Sequence, residues 1–387
     1  MHDRTLLAID FLRRRVSEHE ALLRDLVLQN SFSENKAGGD AVGARLAAAL
    51  ALPGLRCHRH PSRRFADHLL FETEAARHRA PVLCIGHHDT VFPPGSFEGY
   101  RREGSDAMGP GVLDMKGGLT VVCAALRALA DAGVLAQVPV RFVSVGDEEV
   151  GSPESRPMLC EAARGACAAL CFEAGRERDL IVTARKGTAS VRAIAYGRSA
   201  HAGNAHAQGA NAIWSLARFV DRLQSLTDYD RGITLNVGQI SGGQSKNTVP
   251  DRAEAVVDVR FLRPEDGHAV FQALEEIARE VVVPGTRIEL VKSSFRPPLL
   301  RTEASAALAQ AYGACQRAAG LGAGEAPVCG GGSDASTAAE EGIPAIDGLG
   351  PRGTGLHTTD ERIEVATLVS KAEALVRFLL GTGQGAN

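Results

Sequence analysis

A histidine placed where a buried strand leaves its sheet is well positioned to hold a ligand. The sequence offers one, because the apolar run 82–85 passes directly into Gly86-His87-His88-Asp89-Thr90. Strand side chains alternate, so His87 and Asp89 share a face while His88 points away, and a carboxylate two residues on can hold an imidazole in one tautomer. His87 is therefore the candidate metal ligand and Asp89 its orienter; the plainer alternative is a satisfied structural histidine. Acidic groups follow two further strand-like runs: Gly146-Asp147-Glu148-Glu149 after 138–145, and Glu173 after 168–172. Adjacent Glu148 and Glu149 face different directions, which lets one bind a metal while the other moves protons. A solvated loop would carry the same two residues.

A third acid, Asp114, lies in Gly109-Pro110-Gly111-Val112-Leu113-Asp114-Met115-Lys116-Gly117-Gly118, just before a helical segment. The order of a phosphate-binding loop is absent, and Asp114 would repel a phosphate unless a cation lay between them. It reads either as a helix N-cap or as a metal-bridging carboxylate. A second imidazole comes from His357, shortly before the last helical run. Two histidines with Asp114, Glu149 and Glu173 suit two zinc-like ions about 3.5–4 Å apart that share one acid. Three carboxylates and a bridging hydroxide would neutralise two such cations. Without them the clustered acids would repel one another and their pKa values would rise.

The elements that must position these groups follow from apolar periodicity. Helical spacing runs over 5–28, over 41–52 up to Pro53-Gly54, and over 119–132. Strand-length runs at 82–85, 138–145 and 168–172 alternate with helical segments, which predicts an α/β sheet with parallel members. From Lys186 the pattern changes to strands at 189–195, 232–240 and 253–261 with helices at 211–226 and 267–282, a separate α+β domain. After a Pro-containing connector at 294–298 the first pattern returns, helical at 305–319, strand-like at 345–348 and helical at 363–380. The expected architecture is a discontinuous domain, 1–185 and 296–387, with a smaller domain inserted at 186–295.

Composition closes several other routes. The 387 residues carry 43 Lys and Arg against 46 Asp and Glu, so no basic stripe is available for nucleic acid. No apolar run approaches the roughly 20 residues of a membrane helix, and residues 1–15 are charged and amphipathic without a signal-peptide core. A cytoplasmic protein is expected. The 8 cysteines are scattered without a CxxC pair, as reduced thiols would be.

Six segments in order, GHHDTV at 86–91, GPGVLDMKGG at 109–118, GDEEVGS at 146–152, FEAG at 172–175, GRSAHAG at 197–203 and LHTTDE at 356–361, resemble the M20 family of metallopeptidases. Within that family the resemblance is to the glutamate carboxypeptidase and acetylornithine deacetylase members. The resemblance implies a zinc-peptidase-like catalytic α/β domain, a mixed sheet flanked by helices, and an inserted α+β lid that also dimerises. It implies that His87 and Glu173 hold one divalent ion, Glu149 and His357 the other, and Asp114 both. Zinc is the expected metal, with cobalt and manganese as alternatives.

Glu148 becomes the general base, and the Asp114–Met115 peptide bond is expected to be cis. The lid would supply His201, which reaches a partner subunit's active site and polarises the scissile carbonyl. Lys186, Asn247 and Arg260 are placed near a substrate carboxylate, although Arg260 on a strand could equally form a structural ion pair. The loop with Gly331 and Gly332 would let backbone approach the substrate. Two departures stand out: Met115 where some relatives carry a second Asp, and FEAG in place of a Glu-Pro pairing.

The implied reaction is hydrolysis of an amide bond in a small N-acyl amino acid or short peptide with a free carboxylate, in a homodimer without nucleic-acid or membrane partners. A deacylase of the acetylornithine or succinyl-diaminopimelate type is the alternative enzyme. A metal-dependent binding protein that has lost hydrolysis is the alternative from another class. Glu148 speaks against the latter, because mere binding needs no general base.

Overall fold

The computed structural model describes residues 2–280 and 283–382 and divides into two compact units. The first comprises 1–184, 301–328 and 333–387; the second comprises 185–300 and 329–332. The second unit thus extends past the expected 186–295 and takes in a short glycine segment. That segment joins it through main-chain and arginine contacts: Lys186 N–H donates to the Cys329 carbonyl at 2.8 Å and Arg185 Nη1 to the Gly331 carbonyl at 3.2 Å.

Among the described residues, the first unit builds a mixed six-stranded sheet. From edge to edge its strands are Leu55–His60, His68–Thr73, Val140–Val145, Val82–His87, Ala168–Cys171 and Ala345–Ile346. Val82–His87 is central, parallel to both neighbours and buried at every position. Continuous apolar runs are what a strand covered on both faces requires. The helix Lys116–Asp131 is buried along nearly its whole length and packs on helices His2–Arg14, Val16–Leu28 and Ala366–Thr382 as well as on the central strand. A helix apolar all round has no solvent face to offer. Gly118 permits its close seating, since a Cβ there would lie 1.9 Å from the Phe172 carbonyl oxygen.

The second unit is a four-stranded antiparallel sheet, ordered Thr234–Gly242, Arg252–Phe261, Gly187–Tyr196 and Arg287–Arg296. Arg252–Phe261 alternates buried with partly exposed residues, the period of a strand with one covered face. The helices Ala212–Gln224 and Pro264–Glu280 pack against this sheet, enclosing Val191, Phe219, Leu223, Val257, Phe261 and Leu274. Each such side chain contributes about 1.5–3 kcal/mol relative to exposure.

Several expectations need correction. The helical stretch 5–28 is two helices, His2–Arg14 and Val16–Leu28, interrupted at Arg15. The helix expected at 41–52 is Lys36–Ala49, because Asn35 caps it from the Gly38 amide. Residues 362–364 are a strand paired antiparallel with Asp106–Met108, and the last helix begins only at Ala366. The connector region 294–298 is largely the end of the edge strand Arg287–Arg296, whose burial alternates too weakly to be read as a strand. The edge strand Leu55–His60 escaped for the same reason, as its polar residues face solvent. The expected helix 267–282 is seen as Pro264–Glu280, and residues 281 and 282 lie outside the described residues.

Candidate metal centre

His87 ends the central strand and is 1% exposed. Its Nδ1–H donates to the main-chain carbonyl of Asp89 at 3.0 Å, and its Nε2 faces Asp114 Oδ1 at 3.2 Å and Glu173 Oε1 at 3.6 Å. The orienting group is thus chiefly the Asp89 carbonyl, with its Oδ1 at 3.4 Å. The Asp89 carboxylate has other work. It accepts the main-chain N–H of Glu148 at 3.2 Å, that of Glu149 at 3.2 Å and the Ser33 hydroxyl at 2.7 Å. One buried carboxylate therefore ties the end of the Val82 strand to the loop after the Val140 strand. Ser33 was not anticipated; in the sequence it is an ordinary loop serine, and only folding carries it 56 positions to Asp89.

Asp114 sits at the start of the Lys116 helix, and its peptide bond to Met115 is cis. Its second oxygen, Oδ2, lies 3.0 Å from His357 Nε2, which in turn is 3.4 Å from Glu149 Oε2. Two histidine–carboxylate groups result, His87 with Glu173 and His357 with Glu149, and Asp114 is common to both. Glu148 belongs to the same cluster: its carboxylate, with His87 and Glu173, offers ligand atoms all within 4.8 Å of one another. His357 adopts the left-handed backbone region at φ 60°, which turns its ring into the cluster after the tight turn at Gly355.

Electrostatics show what the cluster wants. Burial, then the Asp114 charge, pushes Glu149 up to about 8 and raises Glu173 well above the usual carboxylate range. Hydrogen bonding to Asp114 and Glu149 raises His357 to about 10. Burial opposes a charge on His87, but its contacts with Asp114 and Asp89 still raise its pKa. Asp114 goes the other way: burial would raise it, yet the two imidazoles hold it below the carboxylate range. In addition, Glu149 Oε1 is buried without a hydrogen-bond partner among the described residues. Two imidazole nitrogens, clustered acids and an orphaned carboxylate oxygen fit divalent cations with nitrogen and oxygen ligands.

A further acid supports this centre. Glu361, fully buried, accepts the main-chain N–H groups of Gly111 at 3.1 Å, Leu113 at 2.8 Å and Asp114 at 2.9 Å. The sequence names it only as the end of the LHTTDE segment, without a role.

In the second unit, the turn after the short strand Ala200–His201 closes on its histidine. Nδ1 of His201 accepts the N–H groups of Gly203 and Asn204, both at 3.1 Å, so the ring proton resides on Nε2, ready to donate. Asn247 is adjacent, its carbonyl accepting the Ala202 N–H at 2.9 Å and its Oδ1 the Ser245 hydroxyl at 2.8 Å. Lys186 Nζ donates to the Gly232 carbonyl at 2.9 Å. Arg260 forms a two-point pair with Asp258, at 2.8 and 2.9 Å, and donates to the Gly330 carbonyl at 3.2 Å, beside Gly331 and Gly332. The structural ion pair weighed for Arg260 is thus present, and together with the Gly330 contact it uses three of the five guanidinium N–H groups.

A mixed sheet with imidazoles and carboxylates gathered at its strand ends, joined in sequence to a helix-covered antiparallel unit, is the build of a metallohydrolase. Residues 183–286 match the family model described as the M20 peptidase dimerisation domain. The chain is 31% identical over 310 residues to carboxypeptidase G2 of Pseudomonas sp. (strain RS-16), spanning 79% of this chain and 74% of that one. It is 26% identical over 319 residues to succinyl-diaminopimelate desuccinylase of Gluconacetobacter diazotrophicus, spanning 77% and 80%. Its fold matches an M20 family metallo-carboxypeptidase from Sulfolobus solfataricus with a TM-score of 0.76 at 19% identity, over 94% of this chain and 98% of that one. The chain belongs to the M20 family of metallopeptidases. It is a hydrolase acting on amide bonds. Among the described residues, no helix is long and apolar enough to cross a membrane.

Proposed function

We propose that this chain is a two-metal amidohydrolase of glutamate carboxypeptidase type, releasing an amino acid with a free carboxylate from a short peptide or N-acyl amino acid. The observation that carries the reading is the shared position of Asp114 between His87 with Glu173 and His357 with Glu149. Those five residues would hold the ions, with zinc the best match to a mixed histidine and carboxylate set. Bound there, the ions would supply Lewis-acid polarisation of the scissile carbonyl and a water acidified toward a pKa of about 7.

The chain's own groups do the rest. Glu148 takes the proton of the attacking water and passes it to the leaving amine nitrogen as the C–N bond breaks. His201, protonated on Nε2, donates to the developing oxyanion; one such donor elsewhere contributes about 2.7–4 kcal/mol. Lys186, Asn247, Arg260 and the backbone at Gly331 and Gly332 recognise the substrate carboxylate, for which the remaining N–H groups of Arg260 are suited. Cytoplasmic residence is part of this reading and is supported by the scatter of the eight cysteines, which form no CxxC pair in the sequence.

The test is a panel of acyl-glutamates, dipeptides, N-acetyl and N-succinyl amino acids, followed by release of free amino acid from zinc- or cobalt-loaded protein and from protein stripped by a chelator. Release from acyl-glutamates or dipeptides by the loaded form alone is expected. Turnover confined to N-acetyl or N-succinyl substrates would assign the deacylase alternative, and activity that survives stripping would remove the metals from the scheme.

The second unit is also proposed to pair two copies of the chain. Its edge strand Thr234–Gly242 leaves Ile240 61% exposed, and the neighbouring helix leaves Trp214 56% and Ile213 42% exposed. A strand at the sheet edge among the described residues, flanked by apolar side chains, is a ready surface for a second copy. Sedimentation should show a dimer, and Trp214→Glu combined with Ile240→Asp should yield a folded monomer. A wild-type monomer at micromolar concentration would defeat the pairing.

A further inference from the structure

We infer that Glu361 is a positioning residue that fixes the bridging carboxylate of Asp114 to the segment carrying His357, and so sets the affinity of the centre for its second ion. The inference rests on the reading of Asp114 as the shared ligand. Three amides of the loop, those of Gly111, Leu113 and Asp114, converge on the Glu361 carboxylate at 2.8 to 3.1 Å. The residue is wholly buried. Four positions upstream, His357 offers Nε2 to Asp114 Oδ2 at 3.0 Å.

The link between the two is short and folded. Thr358 N–H donates to the Gly355 carbonyl at 3.0 Å and Glu361 N–H to the Thr358 carbonyl at 3.3 Å. Directly after Glu361, the strand Arg362–Glu364 pairs with Asp106–Met108, which leads into the Asp114 loop, and Gly109 N–H reaches the Glu361 carbonyl at 3.4 Å. A β-ladder therefore brings both loops to one place, and Glu361 locks the last step between them.

A buried acid is an expensive way to anchor a loop when neutral acceptors exist, because burying a carboxylate costs free energy unless its partners are polar and fixed. Here all three partners are fixed main-chain N–H groups, one of them that of Asp114 itself. Partners one layer out from a metal typically alter affinity about 10- to 100-fold when removed.

The experiment measures zinc and cobalt affinity and stoichiometry of the full chain, wild type against Glu361→Gln and Glu361→Asp, with thermal unfolding of each metal-free form alongside. The wild type should take up two ions. Glu361→Gln, which turns an N–H donor toward the amides, should bind at least one of them about 10- to 100-fold more weakly. Glu361→Asp, which keeps a carboxyl acceptor, should recover part of that loss and decides the matter where Glu361→Gln fails to fold. Affinities within about twofold of wild type, or lower melting with unchanged affinity in the folded protein, would overturn the role. Failure of the wild type to hold two ions would instead remove the shared-ligand reading beneath it.

Discussion

Glu148→Ala should keep two ions per chain and lose about 10²–10⁴-fold in turnover, the range that general acid–base catalysis supplies, equivalent to about 2.7–5.4 kcal/mol of barrier. The metal content should survive because the links that build the centre at this point belong to the backbone. The N–H groups of Glu148 and Glu149 reach the two oxygens of Asp89 at 3.2 Å each, and an alanine at 148 keeps both. His87 is likewise held by a main-chain carbonyl. Elemental analysis beside steady-state kinetics reads both quantities. Turnover above about a tenth of wild type would take the proton-transfer role from Glu148, and loss of an ion would make it a ligand.

Asp114→Asn is expected to give the opposite signature. The side chain keeps its size but exchanges one oxygen for an N–H₂ group, so it can no longer face both His87 and His357 with an acceptor, as the carboxylate does at 3.2 and 3.0 Å. Affinity should fall by more than the about 100-fold that marks the upper range for an outer partner, at both ions together, and turnover with it. Loss at one ion alone would show that Asp114 serves a single metal. Two ions bound at native affinity would refute its place as a ligand. Together the two variants separate chemistry from assembly, since one should keep the metals without the reaction and the other lose both.

Most of the side chains that the fold gathers around Asp114 could be singled out in the chain because strand ends announce themselves. An apolar run breaking into His87, Glu149 or Glu173 places a polar group where a buried sheet meets solvent, and the glycine loop before Lys116 marks a tight approach to it. The parallel core strands were legible for the same reason. Strands facing water, Leu55–His60 and Arg287–Arg296, lacked that signal and were missed. The short strand at 362–364 was absorbed into a helix because three residues are too few to show a period.

The residue types, their order and their attachment to strand ends are properties of the linear chain, and these alone point to an M20 metallopeptidase with two histidines and several acids as its working parts. Tertiary structure decided which atoms do the holding. Asp89 orients His87 through its carbonyl while its carboxylate gathers Ser33, Glu148 and Glu149, and Glu361 binds the Asp114 loop from 247 positions away. Periodicity reports which way a side chain faces along its own strand or helix. It carries no information about hydrogen bonds closed between distant loops, which exist only once the sheet has brought those loops to the same edge.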